Sequence, residues 1–224
     1  MIKVILVSAT TFEIEPTLLF LEPFRASRPH TFIFGKLEIE VCVTKAGMVN
    51  TAFELGKMAE RQFDMAVNAG VAGSFGELEP GDVVNVTDDC FSELGAEDGP
   101  RFLSMDLLGL GEQKNGLLSL VHNPVTDRLP MVSGITVNTV HGEEESIEEV
   151  KKAYKADVET MEGAAFIHAA NAFNWRAIQI RAISNKVERR NKKSWQMPLA
   201  IKNLNEVLVE LIKDLAHNYN HIGT

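Results

Sequence analysis

The sequence contains few cysteines and has no excess of basic residues. Its 224 residues include two cysteines, Cys42 and Cys90, which form neither a CxxC pair nor a recognisable disulfide framework. Lys and Arg number 22 against 31 Asp and Glu, so the formal net charge is −9, which argues against broad binding to a nucleic-acid backbone. The chain also lacks a signal-peptide pattern and an apolar run long enough to span a bilayer. We therefore expect a cytoplasmic protein that binds neither nucleic acid nor membrane.

Sequence motifs of several common enzyme classes are also missing. There is no Gly-x-Ser-x-Gly nucleophile elbow, and there is no Walker loop. Among the six histidines, His217 and His221 have i, i+4 spacing, but they lie in a polar tail near the terminus. We therefore expect no metal site.

Apolar runs alternate with helical patterns along the chain. Ile2–Val7 and Trp175–Ser184 are predicted to be buried strands, and an amphipathic helix is predicted from Leu199 to Asn218. The segment Asp88–Pro130 is polar and weakly periodic, which predicts surface loops that could include part of a lid. No repeat, linker or second domain is visible. Residues 1–224 are therefore predicted to form a single three-layer α/β/α sandwich around a central mixed β-sheet.

Two polar residues follow predicted strands. Glu162 comes after a short strand at Val158, in the first turn of a helix, where the positive end of the helix dipole favours a carboxylate. Asn185 follows the buried strand that ends at Ser184. Ligands of open α/β sheets bind beyond the carboxyl ends of the strands, so both residues are candidate site residues. The alternative for Asn185 is that it only terminates a strand.

Glu13 follows the first strand and has two interpretations. Thr10 and Glu13 have the spacing of a capping box, in which Glu13 only binds backbone N–H groups. Pro16 argues against this, because proline is tolerated at the first helical position and costs about 3 kcal/mol deeper in a helix. If the helix begins near Pro16, Glu13 lies free in the loop and is available as a catalytic base.

Two motifs carry a resemblance to a known superfamily. The sequence MEGAA at 161–165, followed by IRAIS at 180–184, resembles the nucleoside phosphorylases and nucleosidases. The sequence Ile183-Ser184-Asn185-Lys186-Val187-Glu188 is similar to that of the futalosine hydrolases within it. This resemblance implies a nucleoside phosphorylase-like fold and hydrolysis of futalosine to hypoxanthine on a menaquinone pathway. It also implies no metal or organic cofactor, and a homodimer or higher homo-oligomer whose site is completed by a neighbouring subunit.

The resemblance also assigns roles to residues. It implies that Glu13 activates the attacking water, that Met161 and Glu162 hold the ribose, and that Asn185 holds the purine. The other positions that it places at the substrate are Val71, Ala72, Gly73 and Thr139. For the glycine-rich segment that begins at Gly70, a tight loop without contact to the substrate is an equally good interpretation. A dinucleotide loop is rejected there, because the segment does not open a helix directly.

A basic cluster follows Asn185 and consists of Arg189, Arg190, Lys192 and Lys193. One interpretation is a solvated loop. The other is recognition of an anionic group, since futalosine carries a carboxylated aromatic ring at the 5′ end of its sugar. Arg189 could hold such a carboxylate through paired hydrogen bonds.

Hydrolysis is favoured over phosphorolysis by the residues that follow the first strand. Similar phosphorylases hold phosphate partly with a Gly-Asp-Pro-x-Arg loop, whereas this chain has Ser8–Glu13 with no arginine. A glutamate repels phosphate but serves as a base for water. Three alternatives stay open: an adenine-releasing nucleosidase acting on methylthioadenosine or adenosylhomocysteine, a purine nucleoside phosphorylase, and a catalytically silent nucleoside-binding protein.

Overall fold

Strands and helices alternate along most of the chain in the computed structural model, which describes residues 1–118 and 121–218. The strands are β1 (Ile2–Ser8), β2 (Thr31–Phe34), β3 (Leu37–Val43), β4 (Met65–Ser74), β5 (Val83–Phe91), β6 (Gly95–Asp98), β7 (Arg101–Ser104), β8 (Lys114–Gly116), β9 (Met131–Thr136), β10 (Val158–Thr160) and β11 (Arg176–Lys186). The helices are α1 (Thr11–Leu21), α2 (Met48–Gly56), α3 (Met105–Leu108), α4 (Glu144–Tyr154), α5 (Gly163–Ala172) and α6 (Met197–Asn218). His221, one of the two histidines of the tail, lies outside the described residues.

One mixed sheet runs through the molecule, as predicted. Its strand order is β10-β9-β5-β11-β4-β1-β3-β2, and β8 pairs with β5 at the side of this path. Strand β1 is parallel to both β3 and β4, and β4 is parallel to β11. Strand β11 is antiparallel to β5. The carboxyl ends of β1, β4 and β11 therefore meet at one edge of the sheet.

Helices cover both faces of this sheet. Val4 and Leu6 of β1 belong to an apolar cluster that includes α1 and α6, whereas Ile5 and Val7 belong to a cluster that includes α2 and α5. Successive side chains of a strand point to opposite faces, so a strand buried on both faces reads as a continuous apolar run. The predicted three-layer arrangement is confirmed. The assignment of residues 1–224 to a single domain stays a prediction.

Strand β4 is longer than the sequence indicated and closes part of the sheet into a ring. Residues 69–74 were expected to form a loop, but they continue the strand, because β11 pairs with them and β10 pairs with Gly73 and Ser74. Strands β4, β11, β5, β9 and β10 thus form a closed ring. Its interior is filled by the small cluster of Ala72, Val84, Val86, Val132, Val158 and Ile183.

Helix α1 begins at Thr11, so the expected start near Pro16 is wrong. Pro16 lies inside the helix, where it removes one backbone hydrogen bond. Packing against α6 offsets this loss, because the backbone N–H and the hydroxyl of Thr17 both donate to Asn205 Oδ1, at 3.0 and 2.6 Å. Ile14, on the same helix, is fully buried.

The prediction of surface loops from Asp88 to Pro130 is wrong for the first residues of this segment. Strand β5 continues to Phe91, and Asp89 is fully buried. The segment also contains the β6–β7 hairpin and the short helix α3. None of the helices in the described ranges has the length and apolar character that a bilayer crossing requires.

Candidate active site

Glu13 occupies the third position of α1 and is held by several donors. Its Oε2 atom accepts from the backbone N–H and the hydroxyl of Thr10, both at 2.9 Å, which forms the capping box. Its Oε1 atom accepts from the backbone N–H of Val71 at 3.2 Å. The expectation that Glu13 lies free in a loop is therefore wrong. Since Oε1 has the single partner Val71 among the described residues, it is the oxygen with room for a further hydrogen bond.

Glu162 is the N-cap residue of α5, at the end of β10. Its Oε1 atom accepts from the backbone N–H of Gly47 at 2.9 Å, which ties it to the start of α2. Burial raises the pKa of Glu162, and the positive charge of Arg181 opposes this rise. A half-buried carboxylate with a raised pKa and a nearby cation is typical of a functional site.

Arg181 lies in the middle of β11 and is 1% exposed. Its charge interacts with the carboxylates of Glu162, Glu13 and Asp89. Its Nη1 atom donates to the Ile180 carbonyl at 3.2 Å, whereas its Nε is buried with no hydrogen-bond partner in the described part of the chain. Unpaired buried donors are rare in folded proteins, and they are found at functional sites more often than elsewhere.

Gly70 is the point at which Glu13 and Arg181 approach the same strand. A Cβ atom at this position would lie 2.9 Å from Glu13 Oε1 and 3.6 Å from Arg181 Nη1. Any larger residue would push the carboxylate away. The glycine therefore allows a carboxylate from the first turn of α1 and a guanidinium from β11 to converge beside β4.

A buried hydrogen-bond network fixes the start of α5. Thr136 Oγ1 donates to Asp89 Oδ1 at 2.8 Å and accepts from the backbone N–H of Ala164 at 2.7 Å. A Cβ atom at Gly163 would lie 2.0 Å from Asp89 Oδ2, so the helix can approach this carboxylate only with glycine. Burial raises the pKa of Asp89 to about 6. The network thereby positions Glu162, which directly precedes Gly163.

Asn185 lies at the carboxyl end of β11, after a register shift that begins at Ile183. Its Nδ2 donates to the carbonyl of Lys186 and its Oδ1 accepts from Ser184 Oγ, both at 2.7 Å. A backbone carbonyl can only accept, so this contact fixes which end of the amide is nitrogen. One N–H and one oxygen lone pair remain available to a ligand.

Asn185 lines a cavity of about 130 Å³ that the sequence did not reveal as a unit. Gly73, His141, Glu159 and Trp195 are among its other lining residues. A larger cavity, of about 820 Å³, lies between α1 and α6 and is lined by none of the predicted site residues. The small cavity is lined by two of them, Gly73 and Asn185, and it is therefore the cavity of the two that belongs to the candidate site.

The remaining predicted residues are placed as follows. Val71 and Gly73 are half-buried and Ala72 is buried, all in β4, while Met161 is half-buried in the turn before α5. The structure brings this group to the carboxyl ends of the strands together with Glu13, Glu162 and Asn185.

Two predicted site residues, Thr139 and Arg189, do not line the small cavity. Thr139 is exposed and its backbone N–H donates to Glu93 at 3.4 Å, so Val140, not Thr139, lines the small cavity. Arg189 lines a neighbouring cavity of about 640 Å³. The next residue, Arg190, places its guanidinium 5.3 Å from the ring centre of Trp195.

The sequence interpretation missed Arg181, Glu159 and His141. Arg181 and Glu159 are charged residues inside apolar strands. The sequence therefore offered a signal for both, because buried charges are paired or functional. For His141, which follows the loop after β9, the sequence offers no comparable signal.

Comparison with known families agrees with the fold. The family model of the phosphorylase superfamily matches residues 3–213. A futalosine hydrolase from Acidothermus cellulolyticus is 30% identical over 162 residues, which cover 69% of this chain and 66% of that protein. A futalosine hydrolase from Thermus thermophilus is 28% identical over 179 residues, which cover 76% of this chain and 80% of that protein.

Solved structures show the same fold at lower identity. The futalosine hydrolase of Helicobacter pylori superposes with a TM-score of 0.81 at 17% identity, covering 96% of this chain and 98% of that chain. The methylthioadenosine/S-adenosylhomocysteine nucleosidase of Helicobacter pylori, with butyl-thio-DADMe-Immucillin-A, superposes with a TM-score of 0.82 at 18% identity. That match covers 96% of this chain and 99% of that chain.

The buried position of Arg181 leads to a prediction about stability. Arg181→Met should lower the free energy of unfolding by about 3–5 kcal/mol at neutral pH, because it leaves buried carboxylates without their cation. The pKa of Glu162, already raised, should rise further in the variant. A carboxyl group whose pKa is higher in the folded than in the unfolded state destabilises the fold once the pH exceeds its unfolded-state pKa. The loss of unfolding free energy in Arg181→Met should therefore be larger at pH 8 than at pH 5.

Urea unfolding at both pH values measures this effect. Arg128→Met is the matched control, since it removes an exposed ion pair with Glu210 and should change stability little at either pH. Equal losses in the two variants, or a pH-independent loss in Arg181→Met, would show that Arg181 does not neutralise the buried carboxylates.

Proposed function

The chain belongs to the phosphorylase superfamily, and from its site we propose that it hydrolyses the N-glycosidic bond of futalosine. The products are hypoxanthine and dehypoxanthine futalosine, on a route of menaquinone biosynthesis in the cytoplasm. Relatives named futalosine hydrolase support this substrate. The observation that carries the proposal is the convergence of Glu13 and Glu162 on Arg181, with Asn185 facing a separate small cavity.

Glu162 binds the sugar in this mechanism. Its carboxylate accepts from the 2′- and 3′-hydroxyls and stabilises the positive charge that develops on the ribose as the bond to the base breaks. The Gly47 N–H and the buried Asp89 network hold the carboxylate in place before the substrate arrives. Met161 packs beside the sugar, and Val71, Ala72 and Gly73 line the strand along which the nucleoside lies.

Glu13 activates the water that attacks the anomeric carbon. Its Oε2 atom is engaged by Thr10, so Oε1 takes the proton of the water. Capping and catalysis are compatible, because the cap fixes the carboxylate while Oε1 stays within reach of the sugar. The positive charge of Arg181 keeps the two glutamates ionised side by side.

Asn185 binds the leaving base. Its free oxygen lone pair accepts from N7–H as the departing purine becomes protonated, and its free N–H donates to O6. Adenine carries an amine donor in place of O6, so the same amide would leave a buried donor unpaired at a cost of about 1–3 kcal/mol. Asn185 therefore favours hypoxanthine over adenine.

Several parts of the proposal lie outside this central geometry. Arg189 binds the carboxylate at the 5′ end of futalosine, and Thr139 belongs to the loop that closes over the purine. The enzyme needs no metal and no organic cofactor, and it acts as a homodimer or higher homo-oligomer. Phosphate is not a substrate, because the carboxylates of Glu13 and Glu162 repel it.

The first prediction about the mechanism tests Glu13 as the general base. Glu13→Gln should keep substrate affinity but lower the turnover of futalosine by about 10²- to 10⁴-fold, the usual contribution of a positioned general base. Glu15→Gln is the matched control, since Glu15 is exposed on the same helix and should keep full activity. Steady-state release of hypoxanthine measures both. Turnover within a few-fold of wild type in Glu13→Gln would leave Glu13 as a cap alone.

The second prediction tests the substrate. The wild type should prefer futalosine to its 6-amino analogue in kcat/KM, and Asn185→Asp should narrow or reverse this preference, because a carboxylate accepts from both N7–H and an N6 amine. Asn191→Asp makes the same charge change on the exposed loop that follows and should leave the preference unaltered.

Both substrates should be measured with all three proteins, together with methylthioadenosine and inosine. A wild type that prefers the 6-amino compound would replace the assignment with an adenine-releasing nucleosidase. No base release from any purine nucleoside would leave a nucleoside-binding protein without catalytic activity.

A further inference from the structure

A histidine and a glutamate form a pair beside Asn185. Glu159 lies on β10 between β9 and β4, and its side chain is 4% exposed. One of its oxygens accepts from the backbone N–H of His141 at 3.1 Å, and the other pairs with Nδ1 of the His141 ring. Burial raises the pKa of Glu159, and the pairing with His141 opposes this rise. The carboxylate therefore fixes both the backbone and the ring of His141.

The second ring nitrogen of His141, Nε2, is left unpaired by the described part of the chain. It has no hydrogen-bond partner among the described residues, and it is not one of the buried polar atoms left unpaired. The side chain is 17% exposed, and its Nδ1 edge is turned to the buried Glu159. The exposed edge is therefore the one that carries Nε2, and the residue lines the same small cavity as Asn185.

The other walls of this cavity suit a flat heterocycle. Val140 and Val187 are apolar, and Trp195 presents an aromatic ring that is stacked on the Arg190 guanidinium. A Cβ atom at Gly73 would lie 2.8 Å from Val187 Cγ2, so glycine keeps this wall close to the strand end. Asn185 and His141 supply the polar groups that a heterocycle with donors and acceptors requires.

We infer that His141 recognises the N1–H group of a 6-oxopurine and that Glu159 is the positioning residue that sets the tautomer of His141. This inference rests on the proposed function, which places the base of the nucleoside in this cavity. In a neutral imidazole one nitrogen donates and the other accepts. Because Nδ1–H donates to the carboxylate of Glu159, the proton of the neutral ring stays on Nδ1, and Nε2 presents a lone pair to the cavity.

The chemistry of the two purines makes this lone pair selective. Hypoxanthine has a donor at N1, next to the acceptor O6, whereas adenine has an acceptor at N1, next to its amine donor. Asn185 is matched to N7 and O6, and His141 is matched to the next atom around the ring. In adenine the lone pair of N1 would face the lone pair of His141 Nε2, and no hydrogen bond could form. Asn185 and His141 therefore both select hypoxanthine.

Two substitutions separate recognition from a merely structural role. In Glu159→Gln, the amide can donate to Nδ1, which moves the ring proton to Nε2 and turns the cavity-facing atom into a donor. In His141→Asn, the amide nitrogen stands near the place of Nδ1 and keeps the contact with Glu159, but no atom replaces Nε2. Glu149→Gln is the matched control, since it makes the same charge change at an exposed position of α4 that does not line the cavity.

Isothermal titration calorimetry with hypoxanthine and adenine measures the effect without catalysis. The wild type and Glu149→Gln should bind hypoxanthine more tightly than adenine. His141→Asn should keep the thermal stability of the wild type and reduce the ratio of the two affinities about tenfold, as expected for one lost hydrogen bond. Glu159→Gln should reduce the ratio of the two affinities further, because Nε2–H of the other tautomer opposes N1–H of hypoxanthine and donates to N1 of adenine.

The inference is overturned if both variants keep the wild-type ratio, or if the wild type binds hypoxanthine no more tightly than adenine. The experiment distinguishes a failure of this inference from a failure of the proposed function. Hydrolysis of futalosine with an unchanged affinity ratio in the variants would remove the role of His141 and leave the enzyme assignment intact. A protein that binds the bases as described but cleaves no nucleoside would support the recognition pair and contradict the proposed function.

Discussion

A single buried guanidinium holds the candidate active site together. Arg181 is surrounded by the carboxylates of Glu13, Glu162 and Asp89, which come from three other parts of the chain. Without this cation, the carboxylates would repel one another in a place that water reaches poorly. The sheet topology makes the arrangement possible, because β11 lies beside β4, and β4 in turn lies beside β1. The same strand therefore carries the charge that the site requires and part of the hydrophobic core.

In the proposed mechanism the site has a sugar end and a base end, and different strands build them. The sugar end is formed where α1 and α5 begin, with Glu13 and Glu162 held by backbone N–H groups of β4 and α2. The base end is formed where β4 turns to pair with β10, which brings Glu159 close to Asn185 across Gly73. The ring closure of the sheet is thus the feature that creates the base cavity. Substrate selection and bond cleavage can then be altered separately by substitution.

Sequence reasoning located the residues that lie at the ends of apolar strands. Asn185 and Glu162 were found because polar residues after buried strands are expected at a ligand site, and the strands themselves followed from continuous apolar runs. The reasoning failed where a local pattern depends on distant partners. Residues 69–74 resemble a loop because of their glycines. They continue β4 instead, because β11 pairs with them, and the close approach of Glu13 requires a small residue at Gly70.

Other errors have similar causes. The position of Pro16 gave the wrong start for α1, because the contact of Thr17 with Asn205, far along the chain, cannot be read locally. Arg181 and Glu159 were overlooked as single charges inside strands, although their burial is what defines the site. The pairing of Glu159 with His141 depends on the fold of the loop after β9.

The most direct test of the central claim is the identity of the sugar product formed from futalosine. The purified protein is incubated with futalosine in buffers with and without phosphate, and the products are identified by mass spectrometry. Our account predicts hypoxanthine and the free sugar, dehypoxanthine futalosine, at the same rate in both buffers. A sugar 1-phosphate, or hypoxanthine release that requires phosphate, would contradict a site built from two carboxylates around Arg181 for the activation of water.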